Sequence, residues 1–382
     1  MPSVQPTAPK EWSPVGRSYG VLSYLVGGWA GSTVATSSNG HRVAIGSLDW
    51  SYAGNYYPGN VEVYEETNGT WNRMGERISG ISNDEMGTSV SLNASGDVLA
   101  IGVPGAMSSR SEVRIFKWLD GEWQPAGVIA ADVRSNLNVQ YSYDVSLSDD
   151  GNMVAISGSF NDSAEVFKAT EDGVWSRVGN DSSLMAGDSV ALSGDGNRVI
   201  VHQMVDDSHH IVCVYGRTDE GSWEVMDSDA TFLGSKVGAV SISHDGSRIA
   251  VSYVTLSRVM VYDWDGVEWN KLGNPVSGDG DSNRQFGSSL SLSSDGRFIA
   301  IGAPDDDPDG VRDAGSVRVF RFSQTLNDWK QVGSDLVGSR ERDRAGKSVA
   351  LSANGSRVVY GAPWTRGIIT HVGQVYVKTT AE

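Results

Sequence analysis

The chain has 382 residues, and its 47 acidic side chains outnumber its 30 Lys and Arg, giving a formal net charge of −17. This charge argues against a protein that binds nucleic acid through its phosphates, because such proteins need clustered basic side chains. The 46 glycines and 12 tryptophans are typical of short strands joined by tight turns. One cysteine, Cys213, excludes an internal disulfide and is expected to pack in the core, and no apolar run predicts a membrane-inserted helix.

The predicted elements begin with a Pro-rich, linker-like tail over residues 1–10, followed by a single domain over residues 11–382. The tail lacks the charged and then apolar pattern of a signal peptide. A short strand follows at EWSPVG, around Trp12. From there one string, best seen as SLSLSSDGRFIAIGAP, recurs in seven copies. The glycine of its central turn recurs with it, at Gly40, Gly96, Gly151, Gly196, Gly246, Gly296 and Gly355.

Each copy predicts four antiparallel strands. The first strand alternates polar and apolar residues, a D-G, N-G or S-G turn follows, and the second strand is almost wholly apolar, as in strands buried on both faces. The third strand alternates again. The fourth opens with a tryptophan that recurs once per copy, so we expect these tryptophans to be structural: Trp12, Trp71, Trp123, Trp175, Trp223, Trp269 and Trp329.

The seventh copy ends at GQVYVKTTAE and lacks a fourth strand. The missing strand stands at the other end of the chain, at Trp12. We therefore predict an all-β fold: a seven-bladed β-propeller with four antiparallel strands per blade, in which the N-terminal strand closes the last blade and leaves no open sheet edge.

Phe286 and Gly287, with GAP at residues 302–304 followed by GSVRVF, resemble the FG-GAP repeat family, which includes the propeller of integrin α chains. GAP recurs at residues 361–363, and GVP stands at 102–104. The resemblance implies an extracellular or cell-surface binding propeller. It does not carry over the integrin calcium site, which lies between strands 1 and 2, because that connection here is too short for a calcium cage.

The connections between strands 1 and 2 are all tight, whereas long, variable segments join strand 2 to strand 3 and each blade to the next. In a four-stranded meander these longer connections share one face, which we call the loop face; the opposite side is the turn face. Binding residues concentrate on loops over a rigid scaffold, so the functional surface is expected on the loop face.

Aromatic side chains occur in loop-face segments of blades 1 and 7, which ring closure makes neighbours. Exposed aromatics suit a protein or glycan ligand because they offer a large contact area at low entropic cost. Alternatively the rings pack against their own blades, which is the favoured interpretation for Trp364 taken alone. The predicted ligand-binding residues are Trp50, Tyr52, Tyr56, Tyr57, Trp364 and Arg366.

Blade 6 carries the acidic loop DDDPDGVRD. Asp305, Asp307, Asp309 and Asp313 have the spacing of a calcium-binding loop, with Gly310 at its sixth position. Calcium is the one cofactor that the sequence suggests. The alternative, favoured by the abundance of Asp in loops, is a solvated acidic loop.

Two other charged segments are interpreted as surface loops. RERDR, residues 340–344, predicts a solvated turn of mutual salt bridges. HQMVDDSHH predicts incidental histidines, with zinc binding as the alternative although the spacing matches no zinc motif. Its residues are His202, Asp206, Asp207, His209 and His210.

The sequence contains no nucleophile elbow, zinc-protease motif or phosphate-binding loop. We therefore expect a non-enzymatic binding propeller that recognises a protein or glycan through the loops of blades 6, 7 and 1. A cation would stabilise that surface if the blade 6 loop holds one. Two alternatives stay open. One is an extracellular polysaccharide hydrolase or lyase that uses paired carboxylates such as Asp305 and Asp313, and the other is a structural assembly unit.

Overall fold

The computed structural model describes residues 11–15, 28–49, 57–105, 111–130, 144–157, 164–179, 184–185, 187–205, 209–227, 236–279, 284–366 and 372–380. Within them the chain forms seven antiparallel sheets of four or five strands. The first strand of each sheet contacts the first strand of the next sheet, and the last sheet contacts the first. The predicted all-β, seven-bladed propeller is confirmed.

The strands are numbered in chain order. The first, β1 (Trp12–Pro14), belongs to the last blade. Blade 1 contains β2 (Gly28–Thr36), β3 (Arg42–Asp49), β4 (Asn60–Thr67) and β5 (Thr70–Arg73), with β6 (Ile78–Ser79) also paired to β4. Blade 2 contains β7 (Val90–Leu92), β8 (Val98–Val103), β9 (Glu112–Leu119) and β10 (Glu122–Ala130). Blade 3 contains β11 (Val145–Leu147), β12 (Met153–Ile156), β13 (Glu165–Ala169) and β14 (Trp175–Arg177).

The remaining blades follow the same order. Blade 4 contains β15 (Ser189–Leu192), β16 (Arg198–Met204), β17 (His210–Arg217) and β18 (Trp223–Val225). Blade 5 contains β19 (Val237–Ile242), β20 (Arg248–Tyr253), β21 (Arg258–Trp264) and β22 (Trp269–Lys271), with β23 (Val276–Ser277) paired to β21. Blade 6 contains β24 (Ser289–Leu292), β25 (Phe298–Ala303), β26 (Ser316–Ser323) and β27 (Asp328–Gln331), with β28 (Leu336–Val337) paired to β26. Blade 7 contains β29 (Ser348–Leu351), β30 (Arg357–Ala362) and β31 (Gln374–Thr380), completed by β1.

Helical structure in the described residues is confined to short 3₁₀ turns, such as Val254–Leu256 and Pro308–Gly310. A search of those residues for a helix long and apolar enough to cross a membrane found none.

The last blade closes as predicted. β1 pairs antiparallel with β31, with Trp12 opposite Thr380 and Pro14 opposite Lys378. The indole N–H of Trp12 donates to the carbonyl of Val332 in blade 6 at 2.8 Å. Blades 6 and 1 show the same contact, since Trp329 donates to Leu272 of blade 5 at 3.0 Å and Trp71 donates to Val15 of blade 7 at 3.2 Å. These fourth-strand tryptophans join neighbouring blades at the rim.

The hydrophobic core lies between blades. One cluster combines Val317 and Val319 of blade 6 with Val358, Tyr360 and Tyr376 of blade 7. Cys213 is buried in a comparable cluster, as expected. Since each second strand contacts neighbours on both faces, its nearly continuous apolar sequence is explained.

The turn between strands 1 and 2 is five residues long in every blade, as in residues 293–297. The Ser293 hydroxyl donates to Asp295 at 2.7 Å and accepts the amide of Phe298 at 2.9 Å. Gly296 follows in the left-handed region, at φ 62°. The recurring Ser-x-Asp-Gly string therefore encodes one side-chain-braced turn.

On the turn face these turns are joined by a closed circle of seven backbone hydrogen bonds, one between each pair of neighbouring blades. The last of these bonds returns to blade 1, because the amide of Ala353 donates to the carbonyl of Ser38. The seven donor amides are those of Ser38, Ala94, Asp149, Asp195, His244, Ser294 and Ala353. The circle surrounds a polar cavity of about 150 Å³. His244 Nδ1 lies 2.6 Å from an Asp149 oxygen, so this side-chain contact links blades 3 and 5 across the side-chain-free Gly194 of blade 4.

The FG and GAP glycines lock the blades on the opposite side of the ring. Gly287 donates its amide to the carbonyl of Gly302 in the same blade at 2.9 Å. The carbonyl of Gly346, the equivalent of Gly287 in blade 7, lies against the Cα of Gly302 and accepts the Ser289 hydroxyl at 2.8 Å. Glycine is required at the GAP position because the next blade leaves no room for a Cβ.

Candidate functional site

The loop-face surface of blades 6, 7 and 1 contains part of the predicted site. Trp50, Tyr52 and Tyr56 lie outside the described residues. Tyr57 is described as half-buried, and its carbonyl accepts the amide of Glu85 at 2.8 Å. The predicted aromatic patch of blade 1 is therefore described at one of its four residues.

Trp364 lies at the junction of blades 7 and 1. Its ring stacks on Trp29 with 5.9 Å between the centroids and 27° between the planes. The guanidinium carbon of Arg344 lies 4.0 Å from the Trp364 centroid, which is cation–π distance. Trp364 is half-buried. The structure thus places Trp29 of blade 1 beside Trp364, a residue that the predicted aromatic patch did not include.

Arg344 and Trp29 occupy equivalent positions in their blades. Each directly precedes the two-residue segment that corresponds to FG, and in blade 6 the same position is held by Gln285. Arg344 and Gln285 have left-handed backbones, at φ 56° and 54°. Side chains at this position contact the loop between strands 2 and 3 of their own or a neighbouring blade. Aligning the seven copies one residue upstream of FG would have found them.

Asp305 connects blade 6 to this cluster. Its carboxylate accepts the Gln285 amide at 2.6 Å and lies 3.4 Å from Arg344 Nε. Burial raises the pKa of Asp305 above its ordinary value, and the nearby Arg344 opposes the rise. Arg344 is held between a carboxylate and an indole, so a charge pair and two aromatic rings form one continuous surface across three blades.

The other predicted calcium ligands lie on the 3₁₀ turn of the blade 6 loop and its flanks. Asp307 accepts the amide of Asp313 at 2.6 Å. Asp309 is exposed, with φ 53°. Asp313 lies 3.4 Å from Arg312 Nε. These contacts describe a turn braced by its own backbone and by a neighbouring arginine.

Asp306, which the predicted ligand set omits, is the buried carboxylate of the loop, 3% exposed. It lies 2.7 Å from Arg284 Nη1 and 3.6 Å from Arg318 Nη2. It also accepts the Ser316 hydroxyl at 2.6 Å. Asp306 therefore anchors the loop to its blade, and sequence spacing alone gives no sign that it differs from its neighbours.

Among the residues described, no three His, Cys, Asp or Glu side chains are grouped so that they could hold a metal ion. Calcium normally takes six to eight oxygen ligands, drawn from carboxylates, carbonyls and water. A site at Asp305, Asp307, Asp309 and Asp313 would require Asp305 to leave Arg344 and Gln285. Calcium binding at these residues stays a prediction from their spacing.

The interpretation of RERDR as mutual salt bridges is mostly wrong. Asp343 is buried and accepts the backbone amides of Ser339 and Arg340 at 3.0 and 2.9 Å. Arg344 contacts Asp305 and Trp364 as described above. The one ion pair within the run joins Arg342 to Glu341 at 3.9 Å.

Arg366, a predicted ligand-binding residue, is exposed at the end of the described part of the blade 7 loop. Its carbonyl accepts Arg340 Nη1 at 3.1 Å. This contact places the guanidinium of Arg340 beside the predicted site.

The interpretation of His202 and His210 as surface histidines is also wrong. Both are buried on paired strands of blade 4, and their rings stack with 5.1 Å between centroids. His202 Nε2 lies 2.8 Å from His210 Nδ1, so one ring donates and the other accepts. Burial, together with a smaller effect of the neighbouring His210, lowers the pKa of His202 from 6.5 to about 4. Asp206 and Asp207 lie outside the described residues.

Comparison with known proteins supports the fold. The FG-GAP repeat model matches residues 269–320, which contain β24, β25 and most of β26. No curated protein matches the chain.

Solved structures resemble the whole ring at low identity. The Cps50 (Swd1) β-propeller domain of Myceliophteria thermophila is 11% identical, with a TM-score of 0.60 over 98% of this chain and 100% of that one. Chaetomium thermophilum Sqt1, bound to the N-terminus of a ribosomal protein, is 17% identical, with a TM-score of 0.55 over 90% and 85% of the two chains. The periplasmic gluconolactonase of Pseudomonas aeruginosa is 17% identical, with a TM-score of 0.52 over 86% and 95%.

At these identities the solved structures show the shared fold alone. The repeat match lies in the blade whose FG and GAP glycines make the interblade contacts described above. The FG-GAP repeat at residues 269–320 lies within a closed seven-bladed ring, so the comparisons support the resemblance to FG-GAP-repeat β-propellers.

Proposed function

We propose that this propeller is a non-enzymatic binding protein that recognises a protein or glycan ligand through the loop face of blades 6, 7 and 1. The observation that carries the proposal is the surface formed by Trp29, Trp364 and Arg344. Aromatic and arginine side chains dominate binding energies at protein interfaces because they combine apolar area with directional polar contacts.

The arrangement also supplies preorganisation. Arg344 is held on the Trp364 ring at 4.0 Å and beside Asp305 at 3.4 Å. Side chains fixed before binding lose less conformational entropy when a ligand arrives. Protein binding is represented among structures of this fold, since Sqt1 is bound to the N-terminus of a ribosomal protein. A gluconolactonase of the same fold keeps an enzymatic alternative in view.

The test is a glycan array and a random-peptide display screen, each run on wild type and on Trp364→Ala. We expect wild type to retain ligands from at least one collection, with affinity roughly tenfold weaker in the variant, as for a hot-spot residue. Trp175→Ala makes the same chemical change on the outer strand of blade 3 and should leave binding unchanged. Ligands that bind Trp364→Ala as tightly as wild type would place the binding surface elsewhere. Products released from a polysaccharide panel by wild type would instead favour the enzyme.

A further inference from the structure

We infer that the ligand of this surface is an acidic polypeptide segment, bound by an arginine rim formed by Arg340, Arg342 and Arg366 of blade 7. The inference rests on the proposed function and adds the chemistry of the partner. It starts from a contrast between these three arginines and others in the structure.

Elsewhere in the described chain, arginines are typically paired with carboxylates. Arg42 lies 2.8 Å from Glu65, Arg318 lies 2.9 Å from Asp279, and further pairs join blades to one another. Such pairing is expected because the chain has 47 acidic side chains and 30 Lys and Arg, so carboxylates outnumber the basic groups. In the part of the chain that the structure describes, Arg198, Arg217, Arg258 and Arg321 also form no such ion pair, so the arginine rim is distinguished by three exposed arginines in two neighbouring segments.

The arginine rim departs from this pattern. Within the described residues, no carboxylate oxygen is paired with the guanidinium of Arg340 or Arg366, and Arg340 donates instead to a backbone carbonyl at 3.1 Å. Arg342 has one long contact, 3.9 Å to the adjacent Glu341. All three arginines are exposed. The nearby Asp343 is buried and already accepts backbone amides, so it cannot neutralise them fully.

The rim lies directly beside the aromatic surface. Arg340 contacts the carbonyl of Arg366, two residues beyond Trp364, and the amide of Trp364 donates to the carbonyl of Asp343. The three exposed arginines thus belong to the two segments, residues 340–344 and 364–366, that carry Arg344 and Trp364, in a protein whose net charge is −17. Exposed guanidinium groups attract an anionic segment of a partner.

The geometry favours a peptide over a sugar. Neutral sugars bind by stacking on an open aromatic face, but the Trp364 ring already carries the Arg344 guanidinium and stacks on Trp29. Guanidinium groups match carboxylates through paired hydrogen bonds. A segment that mixes Asp or Glu with apolar residues can place carboxylates on the rim and apolar side chains against the indole edges.

The test is selection of a random-peptide display library on the full chain, followed by affinity measurement of the selected peptides. Wild type should select peptides enriched in Asp and Glu relative to the unselected library. Arg340→Glu with Arg366→Glu should bind them at least about tenfold more weakly, since two exposed charge contacts become repulsive. Affinity for wild type should also fall as NaCl is raised, because exposed charges are screened.

The matched control is Arg297→Glu with Lys330→Glu, two exposed basic residues of blade 6 outside the loop face, which should select the same acidic peptides as wild type. Thermal melts confirm that both double variants fold. Neutral or basic selected peptides, or acidic peptides retained by the rim variant, would overturn the inference. So would binding of uronate oligosaccharides without any peptide. If those other ligands are lost in Trp364→Ala, the inference fails while the proposed function stands.

Discussion

The GAP glycine of blade 6 offers the sharpest test of how this ring is held together. In Gly302→Ala the new Cβ would lie closer than 3.0 Å to the Gly346 carbonyl oxygen and to the Ser289 hydroxyl. Those two groups are hydrogen-bonded to each other at 2.8 Å. The alanine therefore disturbs an interblade contact without replacing a residue of the proposed binding surface.

The magnitude follows from two contributions. Gly302 is not among the residues with positive φ, so alanine adds no left-handed backbone strain there. Overpacking a well-packed site costs about 1–3 kcal/mol, and losing the Ser289 hydrogen bond costs about 1 kcal/mol more. The free energy of unfolding should fall by about 2–4 kcal/mol. With an unfolding entropy of about 0.8 kcal/mol per kelvin for a chain of this length, Tm should fall by about 3–5 °C.

Differential scanning calorimetry measures this change. The control is Gly310→Ala, at φ 78° with no atom within 4 Å of the new Cβ, where backbone strain of about 1 kcal/mol is the sole cost. A Gly302→Ala protein that melts with wild type, or no lower than Gly310→Ala, would refute the argument that the GAP glycine is kept for interblade contact.

Two further predictions concern protons and calcium. The lowered pKa of His202 means that the unfolded chain binds a proton which the folded chain rejects between pH 6.5 and about 4. The neutral His202 side chain therefore adds fully to the free energy of unfolding above pH 6.5, and about 3 kcal/mol of this stability is lost as pH falls towards 4. In urea unfolding, the stabilities of wild type and His202→Gln should converge or cross as pH falls. Parallel pH profiles would contradict this. If the blade 6 loop binds calcium, added Ca²⁺ should raise Tm in wild type but not in Asp309→Asn. At a hundredfold excess of Ca²⁺ over Kd, the free energy of unfolding of wild type should rise by about 2.7 kcal/mol. A wild-type Tm that is equal in chelator and in excess calcium would contradict the prediction that this loop binds calcium.

The ring was predictable because its determinants are local and repeated seven times. A braced turn needs Ser293, Asp295 and Gly296 within four residues of one another. The same string recurs in blades 3, 4 and 5, and a variant of it with Asn or Ser in place of Asp stands in blades 1, 2 and 7. Closure by β1 was predictable for a related reason, since the tryptophan missing from the last repeat stands at Trp12.

The functional surface was only partly predictable because its contacts join distant segments. Trp29 and Trp364 are near opposite ends of the chain, and only ring closure brings their rings to 5.9 Å. The charge pattern of residues 340–344 gave a wrong prediction for the same reason. Asp343 looked like a partner for neighbouring arginines, yet its carboxylate is used by backbone amides of its own loop. Likewise the sequence pattern assigned His202 and His210 to a polar loop, but both residues lie in β16 and β17, whose pairing continues as far as Met204 and His210.

The pairing of β1 with β31 also fixes how the ring responds to mechanical load. Trp12 stands opposite Thr380, so the chain enters and leaves the propeller at adjacent points on one edge of blade 7. Tension applied through both ends would separate the paired residues of β1 and β31 one pair at a time, instead of loading all of the hydrogen bonds between them at once. The first pair to separate is Trp12 with Thr380, and the indole of Trp12 stabilises it by donating to the carbonyl of Val332 in blade 6 at 2.8 Å. Force sensitivity of the whole ring is therefore concentrated in three residues and one side-chain hydrogen bond.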